Sequence, residues 1–307
     1  MHKLVSFIVY PLLLSLILLT SCSGEQKTDN SKVLVVCTTS IVANLAKQIL
    51  SEDFQVISLM GAGVDPHIYK PKPGDIDLLQ KADYIVYNGL HLEGKMGEIL
   101  ENFGKIKPVI CLTSALYPEQ LITSEDFQGG VDPHVWFDPV LWQDCAQNLA
   151  VIIKAEFPEK HQAIEERYSS FVKSNAALKD SLDRLFKDIP KEKRVLVTAH
   201  DAFSYFARVH NFDLITIQGL STQTDFSIKT IESISDSMLS RGISCAFFET
   251  SIPKKSIETL ISVCGQKGLS VRPGGVLYSD ALGLETPDYQ SMYLHNAREI
   301  STCLSHE

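Results

Sequence analysis

The tripeptide Asp-Pro-His occurs twice in this 307-residue chain, at Asp65-Pro66-His67 and at Asp132-Pro133-His134. Two further positions share its character. His200 directly follows the largely apolar run Arg194 to Ala199, and Asp280 sits in the loop Tyr278-Ser279-Asp280-Ala281 after the pair Gly274-Gly275. Neutral imidazole and carboxylate are donors that a borderline divalent cation takes. His67, His134, His200 and Asp280 could together close one four-coordinate site. They lie 67, 66 and 80 positions apart. Zinc-finger ligands sit a few residues apart, so this site would be assembled by the whole fold.

The elements that must position these residues alternate between strand and helix. Lys32–Thr38, Phe54–Met60, Tyr84–Tyr87 and Lys107–Leu112 read as strands, with helices over Ile41–Leu50, Glu93–Phe103 and Pro139–Glu156. After Lys191 the pattern restarts. Strands are predicted at Arg194–Thr198, Phe212–Gln218, Cys245–Glu249 and Leu269–Val271, with helices near 201–210, 227–241, 253–267 and 288–304. Such alternation implies βαβ units and parallel sheets. The expected fold is α/β, with one lobe over 32–157 and another over 191–307.

Between the two blocks, Ile164, Tyr168, Phe171, Asn175, Leu178, Leu182, Leu185 and Ile189 recur at alternating spacings of four and three. That places one apolar stripe on a single helix. Pro158 starts the segment and Pro190 ends it. A helix over 158–190 would be a rod of roughly 45 Å. A strut packed across both lobes is the simpler reading; a coiled-coil dimer competes with it. Each candidate ligand then falls on a loop, and ligands of open α/β sheets bind outside the carboxyl ends of the strands.

The amino terminus reads as a targeting segment. Lys3 precedes an apolar run from Leu4 to Leu19, and Leu19-Thr20-Ser21-Cys22 ends it. Residues 1–21 fit a signal peptide. The run is shorter than the roughly 20 residues needed to span a bilayer. Residues 22–31 read as a flexible tether. The formal charge of −9 argues against nucleic acid or an anionic membrane face as partner. Of seven cysteines none forms a C-x-x-C pair. A thiolate metal site is not expected, although one disulfide fits an extracytoplasmic location.

Several segments then identify a resemblance. Ile68-Tyr69 after the first Asp-Pro-His, DPHVWFDP at 132–139, VLVTAHDAF at 195–203, QGLST at 218–222, FFETSIP at 247–253 and YSDALG at 278–283 resemble the solute-binding proteins of metal-ion ABC transporters. This is the ZnuA/TroA/PsaA-like family, and the TroA-like branch fits best. The resemblance runs from about Lys32 to the C terminus. It implies two Rossmann-like lobes joined by one long rigid helix, with a divalent metal held between the lobes on His67, His134, His200 and Asp280. It implies an ABC permease and its ATPase as partners, in the bacterial cell envelope. The Leu-Thr-Ser-Cys ending resembles a lipobox and implies lipidation of Cys22. Some zinc-type relatives carry a cysteine pair in places similar to Cys245 and Cys303, which implies a disulfide there; two buried thiols are the alternative.

Three nitrogens and one carboxylate suit tetrahedral zinc, whereas manganese takes more oxygen ligands. The zinc-type histidine-rich loop is missing, because 119–131 contains no histidine. Manganese and iron therefore stay open. Two other function classes compete. A zinc hydrolase would keep an open coordination position and a base; Asp201 and Glu249 could serve as that base, or could orient a ligand or cap a helix. A surface adhesin has been a description applied to this group, with nothing in the residues to support it. Four protein ligands favour capture over catalysis, by a chain expected to act as a monomer. The remaining histidines have no comparable setting; His91, after Asn88-Gly89, comes nearest.

Overall fold

The computed structural model describes residues 32–124, 130–223 and 226–305. The segment 1–21, Cys22, and the tether up to Ser31 lie outside the described residues, as does part of the 119–131 loop. Among the described residues no helix is long and apolar enough to cross a membrane.

The first lobe opens with β1 (Val33–Cys37), α1 (Ser40–Ile49), β2 (Phe54–Ser58), α2 (Pro73–Lys81), β3 (Tyr84–Tyr87), α3 (Gly97–Gly104) and β4 (Val109–Cys111). Its strands form one parallel sheet in the order β2-β1-β3-β4. Val35 pairs with Val56 on one side and Tyr84 on the other. β1 is fully hydrogen-bonded and buried, which its run of Val and Leu allows. Thr39 starts α1 by accepting from the Val42 N–H at 3.2 Å, satisfying one of the free amides of a helix start. Two short strands, β5 (Thr123–Ser124) and β6 (Gly130–Val131), pair antiparallel. Asp138 then caps α4 (Pro139–Glu156) by accepting from Val140 and Leu141.

A turn of 3₁₀ helix at Pro158–Lys160 leads into α5 (His161–Phe186). The helix expected over 158–190 is therefore shorter at both ends. Its 26 residues make a rod of about 39 Å. Its stripe packs on α1 and α4 and, from the other lobe, on the terminal helix. Asn175, the one polar member, is buried and donates its amide to the Pro139 carbonyl at 2.6 Å.

The second lobe repeats the plan with β7 (Val195–Thr198), α6 (Ser204–His210), β8 (Asp213–Thr216), α7 (Ile228–Arg241), β9 (Cys245–Glu249), α8 (Lys255–Gln266), β10 (Arg272–Leu277) and α9 (Tyr289–Ser305). β7 pairs parallel with β8, and β9 with β10. β7 also lies alongside β9, so the order β8-β7-β9-β10 reproduces that of the first lobe.

Three sequence expectations need correction. α2 was not foreseen. The helix expected from Glu93 begins as a 3₁₀ turn at Gly94–Met96, with α3 following. The strand expected at 269–271 lies instead at 272–277 and contains Pro273-Gly274-Gly275, residues that normally end strands. A register shift between Pro273 and Val276 accommodates them. A Cβ on Gly274 would collide with the Phe247 ring and the Cys245 sulfur, so glycine is what lets β10 lie against β9. Arg194 ties the strut to this lobe, donating to the carbonyls of Phe186, Ile189 and His210 at 2.7–3.1 Å.

Buried residues of α1, α4, α5, α6 and α9 form one apolar cluster that passes from lobe to lobe, with a separate cluster on the outer side of each sheet. The two lobes share a core as well as a helix. The sulfurs of Cys245 and Cys303 are bonded, with Cα atoms 6.4 Å apart, tying α9 to β9. Cys37, Cys145 and Cys264 are buried free thiols and Cys111 is half-buried.

Candidate metal centre

Each Asp-Pro-His tripeptide folds in the same way. Asp65 accepts from the His67 N–H at 2.9 Å, and Asp132 accepts from the His134 N–H at 2.9 Å. The carboxylate mimics a backbone turn, and the intervening proline fixes φ of the middle residue. The histidine is thereby turned inward from its loop. His67 arrives between β2 and α2, and His134 between β6 and α4. His200 follows β7 at its carboxyl end, and Asp280 follows β10.

These four side chains meet between the lobes, with one possible donor atom from each lying within 4.8 Å of all the others. His67 Nε2 is 3.2 Å from His134 Nε2. Asp280 reaches all three histidines: its Oδ1 is 4.0 Å from His67 Nε2 and 3.4 Å from His134 Nε2, and its Oδ2 is 3.5 Å from His200 Nε2. All four residues are buried.

The far side of two of the imidazoles, those of His134 and His200, is governed by a carboxylate. His134 Nδ1 is 2.7 Å from Asp132 Oδ1, and His200 Nδ1 is 2.6 Å from Glu249 Oε2. Glu249 is fixed in turn by the Ala199 and His200 N–H groups, which donate to its Oε1 at 2.8 and 3.0 Å. Carboxylates placed this way hold the ring, set its tautomer and leave Nε2 facing the centre. Glu249 is therefore an orienting group here. Asp201 accepts from the Ser204 hydroxyl at 2.6 Å, at the start of α6. Asp280 is held by the Ser251 and Ser279 hydroxyls, which donate to Oδ2 at 2.8 and 3.3 Å and leave Oδ1 without a hydrogen-bond partner.

The electrostatics follow from burial and these neighbours. Burial and the adjacent imidazoles push His67 down to about 3 against the pull of Asp280. Burial also opposes protonation of His134, but Asp132 and Asp280 outweigh it and push the ring up to about 9. His200 is carried well above the ordinary range against the same penalty, by Glu249 and Asp280. Asp280 is held well below the usual carboxylate range despite burial, by His200, His134 and His67. The metal-free cluster is thus two imidazolium groups, one neutral imidazole and one carboxylate. A cation entering it displaces protons instead of creating an unbalanced buried charge.

His91 is exposed, in a left-handed stretch with Leu90 and Gly89, and stands outside the cluster. Sequence reasoning missed Glu93. It is buried on the first-lobe side and accepts from Thr38 Oγ1, the Asn88 N–H and the Gly89 N–H at 2.7–3.2 Å. Asn88 then donates its side-chain amide to the Pro133 carbonyl at 3.0 Å, supporting the His134 loop. The only signal was a glutamate soon after a buried strand, which is too common to single out.

Residues 35–303 match the family model described as ZnuA, zinc-uptake complex component A, periplasmic. The manganese-binding lipoprotein MntA of Bacillus subtilis is 35% identical over 291 residues, covering 93% of this chain and 95% of the relative. The zinc-binding protein TroA of Treponema pallidum is 35% identical over 285 residues, 92% of each chain. The solved structure of that periplasmic zinc-binding TroA aligns with a TM-score of 0.86 at 36% identity, over 89% of this chain and 99% of that one. With the two-lobed α/β fold and a family match over nearly its whole described length, this chain belongs to the ZnuA family, the substrate-binding proteins of metal ABC transporters, which bind solutes and are not enzymes.

Proposed function

We propose that the protein captures one divalent transition-metal ion on His67, His134, His200 and Asp280 and delivers it to an ABC permease driven by its ATPase. The observation that carries this reading is the convergence of three imidazole nitrogens and one carboxylate in a buried cluster. Three nitrogens and one oxygen suit tetrahedral zinc, and zinc outranks manganese at nearly any such site. Zinc is the ion expected to bind more tightly in solution. Manganese is the second reading for the transported ion: a manganese-binding lipoprotein is 35% identical, and 119–131 contains no histidine. Neither the hydrolase nor the adhesin reading finds support among the relatives.

The protein is placed outside the cytoplasm, as a lipoprotein anchored through Cys22 after removal of residues 1–21, with 22–31 as tether. Lobes over 32–157 and 191–307, joined by 158–190, form the body. It works as a monomer, since the apolar stripe of α5 is covered by α1, α4 and α9 of its own chain. Metal analysis of protein purified without added metal, with competition between zinc and manganese, tests the assignment. One zinc per chain, displacing manganese, is expected; a protein that takes up neither ion contradicts it.

A further inference from the structure

The loop carrying His134 belongs by sequence to the first lobe, yet its polar groups are held chiefly by the second. Tyr205 of α6 donates its hydroxyl to the Asp132 carbonyl at 3.0 Å. From α9, Tyr289 donates to the Trp136 carbonyl and Tyr293 to the Phe137 carbonyl, each at 2.8 Å. Trp136 Nε1–H donates in the other direction, to the Ser279 carbonyl at 3.0 Å, one residue from Asp280. The Phe137 ring lies 4.7 Å from Phe203 and meets Tyr293 edge to face at 5.8 Å. All of these side chains are fully or almost fully buried. From the first lobe, Asn88 donates its side-chain amide to the Pro133 carbonyl at 3.0 Å, and the Ile122 carbonyl accepts from the Asp132 N–H at 2.9 Å.

The His67 segment is held differently. Thr222 donates to Asp65 Oδ2 at 2.6 Å, and Gln223 Nε2 donates to the His67 carbonyl at 3.2 Å. Both ties are partly exposed, and Ile68 beside them is 45% exposed. A cavity of about 690 Å³ opens on this side, with Asp65 and Ile68 on one wall and Thr222, Ser251 and Ile252 on the other. Ser251 is one of the two serines that hold Asp280.

Taking the metal assignment above as its basis, we infer that Trp136, Tyr205, Tyr289 and Tyr293 are positioning residues that bind His134 into one body with His200 and Asp280. The ion then enters and leaves through the 690 Å³ cavity by displacement of residues 61–72 alone. The physical reason is the difference in local stability. Buried, fully hydrogen-bonded segments open rarely, whereas half-exposed loops with few ties open often. Opening 61–72 withdraws one ligand, exposes three still in place, and leaves the shared core untouched.

Hydrogen exchange of the protein with and without zinc, with the bound stoichiometry read by native mass spectrometry on the same samples, decides the matter. Amides of 61–72 should exchange at least ~10-fold more slowly when zinc is bound, while those of 132–137 change by less than ~2-fold. Thr222→Val should raise the zinc dissociation rate several-fold without altering exchange at 132–137. Tyr289→Phe with Tyr293→Phe should also raise that rate and make exchange at 132–137 respond to zinc. Failure to bind zinc at all sinks the site assignment. One zinc bound, with metal-dependent protection at 132–137 or around His200 or Asp280 in place of 61–72, overturns this inference only. Unchanged kinetics and exchange in the double tyrosine variant would remove the positioning role.

Discussion

Asp132 grips His134 at two points with one oxygen: Oδ1 accepts from the backbone N–H at 2.9 Å and lies 2.7 Å from ring Nδ1. The same carboxylate therefore sets the turn and aims Nε2 at the centre. Asp132→Asn removes the charge that holds the ring while keeping the shape. Outer-shell partners of metal-bound histidine are typically worth about 10–100-fold in affinity. Zinc affinity measured against a competing chelator should fall by that amount, with the far-ultraviolet circular dichroism unchanged. An affinity equal to wild type would show that the ring is held by packing alone.

The same contact fixes the pH dependence. His134 is pushed up to about 9, and His200 also well above its ordinary range. At neutral pH both rings carry protons in the metal-free protein, and both must lose them to bind. Affinity should therefore climb as pH rises toward 9 and fall as it drops, over a window higher than the ordinary imidazole value of about 6.5 would give. Calorimetry at pH 7 in two buffers of different ionisation enthalpy should show about two protons released per zinc. Zero release would contradict the protonation states assigned to the cluster.

Cys245 and Cys303 close a loop across 58 positions between β9 and the end of α9. A bridge of this kind typically contributes about 2–4 kcal/mol. Cys245→Ser with Cys303→Ser should lower the melting temperature while zinc stoichiometry stays at one. Thiol titration of unreduced, unfolded protein lacking residues 1–22 should find the four free thiols Cys37, Cys111, Cys145 and Cys264. Six reactive thiols would exclude the bridge.

Helix α5 and the common apolar cluster brace the lobes against each other. Small-angle scattering of metal-free and zinc-loaded protein should give the same radius of gyration within error. A large opening would show that the shared core yields on release.

The lipobox-like Leu19-Thr20-Ser21 before Cys22 is the basis of the proposed lipid anchor. Cys22→Ser should move the protein from the membrane fraction to the soluble fraction. Retention in the membrane would mean that the uncleaved apolar segment is the anchor.

The site was legible in the sequence to an uneven depth. The repeated Asp-Pro-His marked His67 and His134 because one local mechanism, a carboxylate turn closed around a proline, served both loops. His200 and Asp280 were legible from their places after apolar runs. The helix stripe was legible because a period of 3.6 holds over seven turns, although its ends were not: Ile189 continues the pattern beyond Phe186, where Arg194 collects the carbonyls at the helix end. The strand β10 was displaced by its own Pro273-Gly274-Gly275, whose need for close approach to Phe247 is a tertiary fact. Glu93, Thr222 and the three tyrosines were invisible for the same reason. Each has a partner 55 to 157 positions away, a contact that no local pattern can reveal.

The central claim is that His200 supplies a nitrogen to the ion while His91, on the exposed loop, does not. Zinc affinity of wild type, His200→Ala and His91→Ala, measured against one chelator at one pH, tests it most directly. His91→Ala should match wild type, and His200→Ala should bind more weakly by more than the roughly 100-fold upper range of an outer-shell loss. Equal affinity for wild type and His200→Ala would contradict the account.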